Sequence, residues 1–119
     1  MPELSIDQVS GDIWVVALVG EHDITMAGRL RTRLAEVYAA DARVILDLTE
    51  TTFIDSTMLS VIFDAVNQAV GSSGETLAIL VRPGSNVDRI LDLAGFWAVI
   101  PSTYQTREEV LAAWGRKTV

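Results

Sequence analysis

Apolar and polar positions alternate from Leu4 to Val9, and this period of two predicts a short strand. Ser10-Gly11-Asp12 supplies turn residues. The run "IWVVALVG", Ile13 to Gly20, then predicts a second strand, near enough to the first for an antiparallel hairpin. Beyond it the period changes. Ala27, Leu30, Leu34, Val37 and Tyr38 recur at helical spacing, with Arg29, Arg31, Arg33 and Glu36 on the other faces. "RVILDL", Arg43 to Leu48, is a β-branched run bounded by polar residues and predicts a third strand.

From Ser56 to Val70 the spacing is helical again, with Leu59, Ile62, Phe63, Val66 and Val70 on one stripe, and "GSSGE" ends that helix. "TLAILV" predicts a strand, "SNVDRILDLAG" a short helix stopped at Gly95, and "AVI" before Pro101 a minimal strand. The last element, "TREEVLAAWG", carries a T-x-x-E capping box in Thr106 and Glu109 and ends on Gly115. The order β-β-α-β-α-β-α-β-α predicts an α/β fold with a mostly parallel sheet and an antiparallel N-terminal edge strand. Strands apolar on both faces, Ile13 to Val19 and Val44 to Leu48, fit burial inside such a sheet. No repeat or linker interrupts the pattern, and 119 residues suit a single domain spanning 1–119.

Composition narrows the function classes. Half the residues are apolar, which excludes a disordered tail. No apolar run approaches the roughly 20 residues needed to span a bilayer, and the acidic N-terminus lacks the basic start of an export signal. The chain has no cysteine, so disulfides, thiolate zinc sites and cysteine nucleophiles are out, and a cytoplasmic location is expected. A net charge of −7 argues against nucleic acid and against an anionic membrane surface, leaving protein or small-molecule partners.

One segment carries candidate chemistry. "FIDSTML", Phe53 to Leu59, leaves an apolar strand through a carboxylate and two hydroxyls before an apolar helix begins. It lies at the carboxyl end of a predicted parallel strand, where α/β domains place their sites. Asp55 or Ser56 suits the helix N-cap, which accounts for one polar residue or two. The rest of the segment is explained either by generous capping or by a site.

"VILDLTETTFIDSTMLSVI" resembles the signature of the STAS domain, the module of anti-sigma factor antagonists and sulfate-transporter tails. "GEHDITMAGRLRTRLAE" and "SNVDRILDLAGF" resemble two further segments of the family, in the same order. The resemblance implies a β/α superhelix and no catalytic activity; nothing in the sequence supports a bound nucleotide, and no cofactor is expected. It implies a protein that binds an anti-sigma factor which is also a serine kinase, and so frees a sigma factor for transcription. Ser56 is then the phosphate acceptor, with Thr57 as a secondary candidate, and phosphorylation releases the partner. The partner-contacting set carried over is Asp23, Thr25, Asp55, Ser56, Met58, Leu59 and Ser60. Met58 and Ser60 stand where the family signature has glycines.

Two other functions fit parts of the sequence. One is a STAS subunit of a membrane transport complex that docks without phosphorylation. The other is a serine hydrolase built on His22, Asp23, Asp55 and Ser56, although the chain lacks a G-x-S-x-G elbow. One histidine and scattered acids give no metal-ligand spacing, and "RPGSNVD" is a turn with a helix cap rather than a phosphate loop. Trp14, Trp97 and Trp114 are expected in packing roles, and Arg29, Arg31 and Arg33 on a solvated face.

Overall fold

The computed structural model describes residues 3–22, 24–39, 42–70, 76–99 and 104–116. The predicted hairpin is present. Strand β1 (Glu3–Ser10) pairs antiparallel with β2 (Ile13–His22), through a turn in which Gly11 adopts φ 52°, a region that favours glycine. Strands β3 (Arg43–Ile54) and β4 (Leu77–Leu80) then add in parallel, giving a four-stranded sheet in the order β1-β2-β3-β4. The start of β3 is anchored to the hairpin turn. The Arg43 amide donates to the Asp12 carbonyl at 2.8 Å, and its guanidinium grips the Asp12 carboxylate through bonds of 2.8 and 2.9 Å. Those hydrogen bonds hold the Asp12 carboxyl below the usual carboxylate range against the opposing effect of burial.

Period-two alternation sends successive β3 side chains to two different cores. Val44, Leu46 and Leu48 face helices α1 (Ile24–Ala39), α2 (Ser56–Val70), α3 (Asn86–Leu93) and α4 (Phe96–Val99). Ile45 joins Ile13, Val15, Ala78 and Leu80 beneath α5 (Arg107–Arg116), which lies on the other face and inserts Val110 and Trp114. Asp47 shares the parity of Ile45. Its Oδ2 accepts from Arg107 Nε at 2.7 Å, so an ion pair reinforces the α5 contact.

Helix α1 buries Met26, Ala27, Leu30, Leu34 and Val37, close to the predicted stripe. In α2 the buried stripe is Met58, Val61, Ile62, Ala65 and Val66. This corrects the expected one: Leu59 is only half-buried, Phe63 is 44% exposed, and the Val70 side chain lies outside the described set. Helix α2 has apolar residues around more than half its circumference, so periodicity alone did not fix which arc turns inward.

A second correction concerns "AVI". Ala98 and Val99 belong to the one-turn helix α4, not to a strand, and Ile100 lies outside the described residues. Gly95 at φ 81° lets the chain reverse straight after α3, and Phe96 enters the core. Ser85 caps α3 by accepting from the Asp88 amide at 3.2 Å. The predicted capping box opens α5: Thr106 Oγ1 accepts from the Glu109 amide at 3.1 Å, and Glu109 Oε1 accepts from the Gln105 amide at 3.3 Å.

Candidate functional site

Strand β3 is longer than its sequence pattern implies and runs well past the end of β4. Its pairing with β4 stops at Asp47↔Leu80, while β2 accompanies it through Glu21↔Phe53 and His22↔Ile54. Two register shifts in that stretch break the alternation. The polar groups exposed to desolvation there are satisfied locally. Asp47 Oδ1 accepts from the Thr49 amide at 2.9 Å and its hydroxyl at 2.6 Å, and buried Thr51 donates to the Leu18 carbonyl at 2.7 Å. Burial on its own would raise the Asp47 carboxyl. The Thr49 and Arg107 hydrogen bonds outweigh it, so the group lies below the usual carboxylate range.

The extension delivers Ile54 into the core and ends at Asp55, the N-cap of α2. Asp55 Oδ1 accepts from the Met58 amide at 2.9 Å, and the Asp55 carbonyl accepts from the Leu59 amide at 3.0 Å. Ser56, the first helical residue, is exposed. Its hydroxyl therefore stands in solvent at the positive end of the helix dipole. Thr57 and Leu59 are half-buried, and Ser60 is exposed one turn further along. Thr25 is exposed in the first turn of α1, whereas Asp23 lies outside the described residues.

Met58 is a correction. Its residue is 0% exposed, among the largest fully buried side chains, so it is a core residue and offers no side-chain contact to a partner. The third position after an N-cap points back over the helix start, and here that direction is the interior.

The sequence reading missed Phe63 and Leu93. Ser56, Ser60 and Phe63 recur at i, i+4 and i+7 and are all exposed, so an apolar ring sits on the stripe that Ser56 begins. Phe63 packs edge-on against Phe96, with ring centroids 5.5 Å apart at 84°. Leu93, ending α3, is 81% exposed. For Phe63 the signal was present in the apolar arc of α2, which is wider than one face can bury.

The local chemistry is that of a capped helix with an exposed hydroxyl. Asp55 commits its carboxylate oxygen to a helix amide, the geometry of a cap rather than of an acid orienting an imidazole. Among the described residues no group of three or more His, Cys, Asp or Glu could hold a metal ion. No described helix is long and apolar enough to cross a membrane.

A four-stranded mixed sheet, antiparallel only at β1 and continuing as alternating strands and helices, is the architecture of STAS domains. The STAS domain family model matches residues 6–110, and the chain belongs to that family. Among solved structures it is similar to an anti-sigma factor antagonist from Mycobacterium paratuberculosis, at 22% identity and TM-score 0.78, covering 95% of this chain and 93% of that one. It is also similar to the anti-sigma factor antagonist SpoIIAA in its unphosphorylated form, at 18% identity and TM-score 0.67, covering 96% and 98%. The Bacillus cell fate determinant SpoIIAA in the phosphorylated form matches at 18% identity and TM-score 0.71, covering 93% and 98%. At these identities the likeness speaks for the fold.

Proposed function

We propose that this chain is an anti-sigma factor antagonist that binds a serine-kinase anti-sigma factor and is released when that partner phosphorylates Ser56. The observation that carries the reading is the exposed Ser56 hydroxyl, set at the start of α2 by the Asp55 cap. In the transfer, the γ-phosphoryl group of ATP moves to Ser56 Oγ as the bond to ADP breaks. The hydroxyl proton goes to a base on the kinase. The contact surface comprises Thr25, Asp55, Ser56, Leu59 and Ser60, extended by Phe63 and Leu93; Thr57 is the secondary acceptor, and Asp23 belongs to the proposed surface by resemblance.

Phosphate adds about −1.5 to −2 charge. A helix start tolerates an anion, so the host fold is undisturbed. An interface closing over Ser56 would bury an unpaired dianion beside Asp55. Such burial costs about 2–5 kcal/mol, or roughly 30- to several-thousand-fold in affinity. The protein would act in the cytoplasm and regulate transcription without touching DNA.

The test uses the purified serine-kinase anti-sigma factor from the same genome with ATP. Intact mass should show one added phosphate, peptide mapping should place it on Ser56, and Ser56→Ala should abolish it. Ser56→Asp should bind the kinase at least tenfold more weakly, a carboxylate being only a partial mimic. Phosphate mapping elsewhere, or equal affinity of the modified and unmodified protein, overturns the proposal.

A further inference from the structure

Helix α1 has an outer face that neither the core nor the Ser56 stripe uses. The chain has 9 Lys and Arg against 16 Asp and Glu, yet α1 exposes Arg29, Arg31 and Arg33 with Glu36 as its one acid. Among the described residues no carboxylate that pairs with these arginines is buried. Arg31 lies 4.0 Å from Asp64 with both side chains more than half exposed, and Arg33 meets exposed Glu36 at 3.3 Å. Exposed pairs of this kind contribute little and exchange readily. Arg29 Nη1 lies 3.8 Å from the Met26 sulfur.

Gly28 lies one residue before Arg29, in the interior of the helix. Glycine there weakens a helix relative to alanine. Nothing inside the molecule calls for it: its φ is not in the left-handed region, and a Cβ would meet no atom within 4 Å. Its missing side chain instead helps form a shallow depression of about 370 Å³, lined by Gly28, Arg29, Thr32, Arg33 and Glu36. A second backbone can approach closely over such a floor, with the side chains of Arg29 and Arg33 in its lining. The face begins one turn after Thr25, and the Arg31–Asp64 contact shows that the outer surfaces of α1 and α2 adjoin.

We infer that this face of α1 is a second docking surface, on which Arg29 and Arg33 receive an acidic segment of the serine-kinase anti-sigma factor over the open floor at Gly28. The inference rests on the proposed function. It divides the work: α1 attracts and holds the partner electrostatically, while Ser56 decides whether the closed complex persists.

The experiment measures affinity for that purified kinase across a salt series. Arg29→Glu with Arg33→Glu should weaken binding by about tenfold or more and flatten its salt dependence. Arg29→Gln with Arg33→Gln, a milder change to the helix, should fall between. Gly28→Ala gives a readout that a purely structural role would not. It should raise the melting temperature by about 2–5 °C while weakening the complex. If the wild type binds and the charge reversals leave affinity and salt slope unchanged, the α1 surface is refuted and the proposed function stands. If the wild type does not bind the kinase, both are refuted.

Discussion

Asp55 performs two tasks that a single substitution can separate. Its oxygen satisfies a helix amide, and its charge makes the surroundings of Ser56 acidic. Asp55→Ala should lower unfolding free energy by about 1 kcal/mol through loss of the cap, whereas Asp55→Asn should nearly preserve it. Urea denaturation of the two variants checks this, and equal losses would contradict the capping role. Met58 shows the converse. Read as a replacement for a family glycine it belongs to the contact surface, yet its side chain fills the core. Met58→Ala should therefore cost about 2–5 kcal/mol in the same measurement, while the folded protein keeps its affinity for the kinase. A loss of affinity without loss of stability would return Met58 to the interface.

At the scale of elements, the junction of β3 with α5 is where pH should act. The Asp47 carboxyl is held below its ordinary value in the folded state. Its contribution is thus present above the unfolded-state value of 3.8 and is lost as pH falls through the lower folded-state value. Asp47→Asn should reduce stability at neutral pH by about 1–3 kcal/mol, discounted because Arg107 is 43% exposed, and should flatten the acid limb of the stability curve. Chemical denaturation across the acid range checks both effects.

Most elements were legible in the sequence because period and caps agreed: the hairpin, the start of α2 and the capping box of α5 all follow local rules. The last six residues of β3 were not. Thr49 to Thr52 form a polar run, and register shifts destroy the alternation by which a strand is recognised. "AVI" failed because three apolar residues carry no period, and the left-handed Gly95 decided the path instead. The junction at Asp55, where the site is proposed, was legible because a strand end and a helix start coincide there. The inward arc of α2 depends on tertiary packing, so the burial of Met58 and the exposure of Phe63 were not legible from periodicity.

For the molecule as a whole, the sheet separates two environments. Helix α2 and its neighbours occupy one side, and α5 covers the other. Because Ser56 sits on the surface at a helix start, its modification should leave thermal unfolding unchanged even where binding is lost. Calorimetry of Ser56→Asp beside the wild type tests that separation, and a clear drop in melting temperature would indicate that the switch works through the fold.

Among the described helices α5 stands alone on its face of the sheet, and this has a practical consequence. The chain contains no cysteine, so Glu108→Cys, at an exposed position on that helix, would supply the molecule's sole thiol. Immobilised through it, every copy would turn the same side toward solution, leaving the opposite helices open to the proposed partner.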